Sequence, residues 1–234
     1  MSAQKRNHLF ISLTCLVVFV FLAGCGQVNI HINAYQSHEL NFPQPTKENT
    51  VAIVAGTEAQ EPLLEVEVAE KIARLLRQNG YRITTKDSAK YLLSCWFGMD
   101  SGQTYTGMMP VYEPGDVVST RVHSSSGRWK TVTTQLPGYT YYMPYSYTIF
   151  PKYLSLTLYD NKLFAESKSE DHHEAIIWRC TGINADYSTD LRWRLNHLLI
   201  ACFKYFGKDT YKQKLIHLSD HNSDVKALAQ IRPR

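Results

Sequence analysis

The chain has 234 residues, of which 44% are hydrophobic and 20% charged, with a formal net charge of +4 and five cysteines. This length fits one ordinary globular domain or two small ones. The apolar content is too high for a disordered chain, and the small net charge argues against a nucleic-acid-binding protein. Composition therefore excludes two broad classes without indicating a function.

The N-terminal segment has a different composition from the rest of the chain. Residues 1–8 contain Lys5 and Arg6 and no acid, and residues 9–22 form an uncharged apolar run. This run is shorter than the roughly 20 residues that a membrane-spanning helix needs. A basic start, a short apolar run and then small residues are typical of a secretory signal peptide. An uncleaved N-terminal anchor is the alternative.

The small residues at the end of the run are Leu22-Ala23-Gly24-Cys25. This sequence resembles the lipobox of bacterial lipoproteins. The resemblance implies cleavage between Gly24 and Cys25, a diacylglyceryl group on the Cys25 thiol and commonly a further acyl chain, such as palmitate, on the new amine. The residue after the cysteine is Gly26 and not Asp, which resembles the signal for transfer to the outer membrane. The implied location is the periplasmic side of that membrane.

Removal of the predicted signal peptide, residues 1–24, changes the charge. It leaves 210 residues and a net charge of +2, because Lys5 and Arg6 are lost. No later apolar run has the length of a transmembrane helix. Two or more acyl chains give stable anchoring. The sequence therefore predicts a peripheral domain held at the membrane by its lipid, with no cofactor besides the acyl group on Cys25.

Hydrophobic periodicity predicts the elements of the mature chain. Short alternating or apolar runs predict strands, and apolar stripes followed by a glycine predict two helices. The polar segment 35–50 is linker-like, and residues 208–234 form a polar C-terminal tail with a helix near 210–217. The predicted strands are 28–33, 50–55, 81–84, 91–98, 117–123, 128–135, 153–159 and 175–181, and the helices are 62–79 and 189–206.

This order of elements indicates the fold class. Strands grouped between helices favour an α+β fold with a largely antiparallel sheet and the two main helices packed on one face. We expect a single domain over residues 25–207.

Three segments carry a further resemblance. They are Leu75–Tyr81 with its Asn-Gly-Tyr end, Ser88–Leu93, and the pair Leu156–Asp160 and Ile177–Cys180. Together they resemble a group of uncharacterised bacterial lipoproteins that carry a domain of unknown function. Lys90 stands where that group usually has Asp, and Cys180 where it usually has Gly. The resemblance implies a fold and an envelope location and transfers no catalytic residue.

Three cysteines remain besides Cys25. Strand alternation and the helix stripe allow Cys95, Cys180 and Cys202 to point into one core. Because the periplasm is oxidising, a Cys95–Cys180 disulfide, or one of these with Cys202, is a candidate. Three buried thiols are the alternative.

Two histidine groups are weak metal-ligand candidates. His172 and His173 lie in an Asp-His-His-Glu run, and His217 and His221 are spaced i, i+4. A metal site needs three or four converging ligands, and no established metal motif is present, so we expect no metal.

Five tyrosines lie within nine residues, at Tyr139, Tyr141, Tyr142, Tyr145 and Tyr147. Such residues suit partner surfaces, because each ring offers apolar area and a hydroxyl group. Tyrosines on the solvent side of a sheet are the alternative.

The chain has no nucleophile elbow, no phosphate-binding glycine loop and no dinucleotide fingerprint. The sequence thus favours a lipid-anchored binding or accessory component of a cell-envelope assembly, with an envelope protein as partner and without nucleic acid. The alternative is an envelope hydrolase or metal-binding protein that uses one of the histidine and carboxylate groups.

Overall fold

The structure is a computed structural model that describes residues 26–46, 48–55, 61–123, 125–169 and 172–231. Contacts between Cα atoms divide the chain into two compact units. Unit 1 combines the residues up to Asp100 with those from Pro151 onward, and unit 2 is Ser101–Phe150. The predicted signal peptide and lipobox, with Gly24 and Cys25, lie outside the described residues.

The described residues contain ten strands and four α-helices. The strands are β1 (Gln27–Gln36), β2 (Thr50–Ala55), β3 (Arg82–Ile83), β4 (Tyr91–Met99), β5 (Gln103–Glu113), β6 (Val117–His123), β7 (Trp129–Gln135), β8 (Tyr139–Asp160), β9 (Ile176–Asp186) and β10 (Lys214–Ser219). The helices are α1 (Pro62–Gln78), α2 (Asn161–Glu166), α3 (Leu191–Phe203) and α4 (Ser223–Ala229). Two 3₁₀ turns cover Lys86–Ser88 and His173–Ala175.

Unit 1 is built on one mixed sheet with the strand order β10-β1-β9-β8-β4-β2-β3. β2 runs parallel to both of its neighbours, whereas β1 is antiparallel to β9 and β10, and β4 is antiparallel to β8. The predicted α+β class is confirmed. Helices α1 and α3 contact each other, and both contact the sheet. That two main helices cover one face of the sheet stays a prediction.

The core of unit 1 follows from the two periodicities of its sequence. On β1, Val28, Ile30, Ile32 and Ala34 alternate with exposed or half-buried residues, so one face of the strand is buried. On β8, the alternating leucines of residues 154–158 are fully buried. These side chains pack with the apolar side chains of α1 and α3, among them Leu64, Val68, Ile72, Leu76, Leu195, Leu198, Leu199 and Cys202.

The two long helices begin close to the positions that short-range chemistry predicts, whereas α3 ends at Phe203, three residues before the predicted end at Phe206. α1 starts at Pro62, and Gly80 follows its last turn with φ +85°, a conformation that glycine adopts without a steric penalty. The cap of α3 is Asp190, whose carboxylate accepts a hydrogen bond from the Trp193 N–H at 2.8 Å. No helix among the described residues has both the length and the apolar character needed to cross a membrane.

The C-terminal segment, for which the sequence predicts a polar tail, contributes to unit 1. Residues 210–217 form no helix; instead Lys214–Ser219 is the edge strand β10, which pairs with β1. α4 follows, and its Val225 and Leu228 enter the core. The alternation of apolar residues in β10 is weak, which is why the sequence pattern did not indicate a strand.

Unit 2 consists of two antiparallel ribbons. β5 pairs with residues 139–149 of β8, and β6 pairs with β7. None of the described residues in Ser101–Phe150 is buried. The described residues of unit 2 therefore form no hydrophobic core, and isolated two-stranded ribbons are marginally stable in water.

Candidate functional site

One face of the β5–β8 ribbon is lined by aromatic and apolar side chains. Directly opposed residues of an antiparallel pair lie on the same face, and the register pairs Tyr105 with Tyr147 and Gly107 with Tyr145. The same parity brings together nine apolar or aromatic side chains. This aromatic face consists of Tyr105, Met109, Val111, Tyr139, Tyr141, Met143, Tyr145, Tyr147 and Ile149.

The aromatic face is open to solvent. Its six most exposed side chains keep between 39% and 61% of their surface accessible; they are Tyr105, Met109, Tyr139, Tyr141, Met143 and Tyr145. A charged side chain occurs at one position of the face, Glu113 at the end of β5. A contiguous exposed apolar patch of this kind is typical of an interaction site.

The rings of this face are held by their neighbours. The Tyr105 and Tyr147 rings stack with centroids 5.4 Å apart, and the Tyr145 and Tyr147 planes are almost parallel, with centroids 6.0 Å apart. Tyr145 crosses β5 at Gly107, where a Cβ atom would lie 2.7 Å from the ring. The absence of a side chain at Gly107 therefore lets the Tyr145 ring lie across the ribbon.

Glu113, at the end of the aromatic face, accepts a hydrogen bond. The Tyr139 hydroxyl donates a hydrogen bond to its Oε2 atom at 2.6 Å. This hydrogen bond to the carboxylate raises the pKa of Tyr139, because ionisation would remove the donated proton and place two negative charges together. The hydrogen bond thus favours the neutral form of Tyr139.

The opposite face of the ribbon is more polar. It carries Thr104, Thr106, Ser146 and Thr148, with the Thr104 and Thr148 hydroxyls 2.9 Å apart, and it also exposes Met108 and Tyr112 to 63% and 65%. Tyr142 belongs to this face. The predicted partner surface is therefore divided: Tyr139, Tyr141, Tyr145 and Tyr147 share the aromatic face, and Tyr142 points to the other side.

A proline interrupts each outer edge of this ribbon. Pro144 lies opposite Met108, and Pro110 lies opposite Tyr142. Along an antiparallel strand, the N–H groups point alternately toward the partner strand and away from it, so residues two apart point the same way. Proline has no N–H and therefore fits a position whose N–H would point away from the partner strand. Both prolines thus remove an outward donor, which disfavours the addition of another strand at either edge.

The three predicted core cysteines are all buried. Burial raises the pKa of the Cys95 thiol to about 12. The Cys202 thiol is hydrogen-bonded to Cys180, and this contact, together with burial, raises its pKa. The structure thus places Cys202 beside Cys180, while all three described cysteines are present as thiols.

The histidine candidates lie on separate elements. The His172 ring stacks on Phe164 at a centroid distance of 4.0 Å, next to the exposed His173. On β10, the Nδ1 atom of His217 is 2.7 Å from the Asn29 amide oxygen, and His221 is exposed in the turn that follows. Within the described ranges, no three His, Cys, Asp or Glu side chains converge on a point that could hold a metal ion.

A buried charge cluster on α1 was missed by the sequence reasoning. Glu67 and Lys71 are 3% and 1% exposed and form an ion pair, and Glu67 also accepts hydrogen bonds from the Arg192 guanidinium. Burial opposes ionisation of Glu67, but its bonds to Arg192 and Lys71 prevail and lower its pKa. These residues line an open cleft of about 400 Å³ together with Asn196.

A second chain of buried polar contacts links β8, β9 and α3. The Lys152 ammonium is fully buried and lies 2.7 Å from Asp186, which also pairs with Arg194. Arg194 reaches Asp220 at 3.0 Å, and the fully buried His197 lies 3.1 Å from the same carboxylate. A signal existed in the sequence, because Lys152 continues the alternation of the buried leucines on β8.

Comparisons with known proteins give weak likenesses of fold. No family model and no curated protein matches the chain. A PDZ domain protein from Parabacteroides distasonis is similar with a TM-score of 0.41 and 11% identity, over 85% of this chain and 40% of that one. The PelC dodecamer from Paraburkholderia phytofirmans is similar with a TM-score of 0.36 and 14% identity, over 76% of this chain and 99% of that one. Neither likeness carries a functional conclusion.

Proposed function

We propose that this protein is a lipid-anchored binding component of the bacterial cell envelope that acts through the aromatic face of unit 2 and not by catalysis. The observation that carries the proposal is that face: nine apolar or aromatic side chains on one side of an exposed ribbon with one charged residue among them. Interface centres are rich in tyrosine and methionine and poor in charge.

The proposed location rests on the sequence of residues 1–26. The lipobox-like Leu22-Ala23-Gly24-Cys25 motif supports a lipid on Cys25, and Gly26 supports the outer membrane, on its periplasmic side. Two or more acyl chains would hold the protein at this surface. A tethered protein meets a membrane-bound partner at high effective concentration, so even a modest interface would suffice.

Two measurements test this function. Metabolic labelling with radioactive palmitate should mark the full chain and fail on the Cys25→Ser variant; labelling that persists in the variant would contradict the lipid anchor. Affinity capture from solubilised membranes should recover a bound protein with the full chain, and a Tyr141→Ser/Tyr145→Ser variant should lose it. The matched control is Thr106→Ala/Thr148→Ala on the opposite face, which should retain capture. Equal capture by both variants would contradict the binding role of the aromatic face.

A further inference from the structure

We infer that the occupant of the aromatic face is the aromatic face of a second copy of this chain, so that two ribbons pack face to face about a two-fold axis. This inference rests on the proposed binding role of that face and names its partner. It follows from the area, the charge distribution and the edges of the ribbon.

The area is sufficient for a stable pair. An aromatic side chain of this size can bury about 200 Å², and the six most exposed members of the face retain roughly half of their surface in the single chain. One copy therefore offers about 600 Å² of side-chain surface, and two copies about 1,200 Å². That total reaches the lower end of the range for stable protein–protein interfaces.

The charge distribution suits a partner with an identical surface. The face holds one charged residue, Glu113, which lies at its end and bonds to Tyr139. In a two-fold arrangement with antiparallel ribbons, the two Glu113 carboxylates lie at opposite ends of the interface. Like charges therefore do not meet, and the apolar centres around Met109 and Met143 oppose each other.

The edges of the ribbon determine the mode of contact. Pro110 and Pro144 each remove an outward backbone donor near the middle of an edge. Pairing of strands edge to edge is thereby disfavoured, and packing through the faces remains. Two sheets packed face to face, about 10 Å apart, would enclose the exposed side chains of the aromatic face.

Photo-crosslinking in native membranes tests which molecule covers the face. Benzoylphenylalanine replaces Met143 on the aromatic face, and in the control chain it replaces Ser146 on the opposite face. We expect irradiation of the Met143 variant to give an adduct that has twice the mass of the chain. This adduct should contain peptides of this sequence alone. The Ser146 variant should give at most a tenth of that yield.

Any other outcome at position 143 overturns the inference. An adduct with a different protein does so while it leaves the proposed binding function standing. An adduct with lipid, or no adduct, counts against both the second copy and a protein partner at this face. Failure of palmitate labelling at Cys25 is a separate result that concerns the anchor alone.

Sedimentation of the full chain in detergent provides the second measurement. The unsubstituted chain should sediment as a dimer, and Met143→Lys should weaken association at least tenfold, because it brings two buried lysines together at the two-fold axis. Ser146→Lys adds the same charge on the opposite face and should remain dimeric. A monomeric unsubstituted chain would overturn the inference, and so would equal weakening by both substitutions.

Discussion

Glu67 and Lys71 lie one helical turn apart on α1 and are almost completely removed from solvent. A buried ion pair gains little over a well-packed apolar pair, because both charges lose their hydration. The pair is nevertheless hard to disrupt, since loss of one partner leaves the other charge buried without compensation. Arg192, whose side chain is 62% exposed, adds a contact from the solvent side.

We therefore expect Glu67→Gln to lower the free energy of unfolding by about 3 kcal/mol, because Lys71 would remain buried without its carboxylate. Arg192→Gln is the matched control, and its cost should stay below about 1 kcal/mol because the guanidinium is largely exposed. Urea denaturation followed by tryptophan fluorescence measures both values. Equal losses in the two variants would show that Lys71 does not depend on Glu67.

His197 should make stability depend on pH. The ring is fully buried, and burial lowers its pKa from 6.5 in spite of the nearby Trp193 carbonyl and Asp220 carboxylate; the neighbouring Arg194 lowers it further. Below pH 6.5 the unfolded chain therefore binds a proton that the folded chain takes up only at lower pH. The free energy of unfolding falls as the pH falls through this range.

We expect denaturation midpoints of the unsubstituted chain to decrease from pH 7.5 to pH 5.0, and those of His197→Phe to decrease less steeply. The exposed His31 provides the control, because His31→Gln should keep the slope of the unsubstituted chain. Parallel pH profiles for the unsubstituted chain and His197→Phe would show that another group titrates in this range.

At the level of elements, the start of α3 depends on one side chain. Asp190 caps the helix through the Trp193 N–H, and its own N–H bonds to the Ser188 hydroxyl at 3.0 Å. Asp190→Ala should lower the free energy of unfolding by about 1 kcal/mol, the usual cost of losing such a cap. Asp190→Asn keeps an acceptor oxygen and should cost only a few tenths. Thermal unfolding compares the two, and similar losses would mean that the charge and not the hydrogen bond matters.

Elements with a strong local pattern were predictable, and long-range contacts were not. The alternation in residues 28–33 and the stripe of α1 each encode a buried face, so the sequence located these elements to within a few residues. The ion pair between Glu67 and Arg192 joins residues 125 positions apart, and no local pattern encodes it. The sequence indicated the tyrosine tract as a candidate surface but predicted neither β5 nor the first half of β8, so the division of these tyrosines between two faces became visible only from the register.

At the level of the whole molecule, the chain leaves and re-enters unit 1 at adjacent positions. The Asp100 N–H donates to the Pro151 carbonyl at 2.9 Å, and Met99 pairs with Lys152. Among the described residues, none from 101–150 belongs to the hydrophobic core of unit 1. The two units thus have separate physical roles: unit 1 supplies the buried core, and unit 2 presents the aromatic face.

This separation predicts that unit 1 folds without unit 2. Replacement of residues 101–150 by Asn-Gly would close β4 and β8 with a two-residue turn that suits a hairpin. The free energy of unfolding should not fall by more than about 1 kcal/mol, because the core is unaltered and a shorter connection costs less conformational entropy to close. Urea denaturation measures this value, and sedimentation should show a monomer.

The matched control replaces only Val117–Gln135 by Asn-Gly, which the hydrogen bond from the Leu136 N–H to the Asp116 carbonyl makes feasible. That chain keeps the aromatic face and should remain dimeric, whereas a loss of cooperative unfolding in the shorter chain would show that unit 1 needs unit 2 to fold.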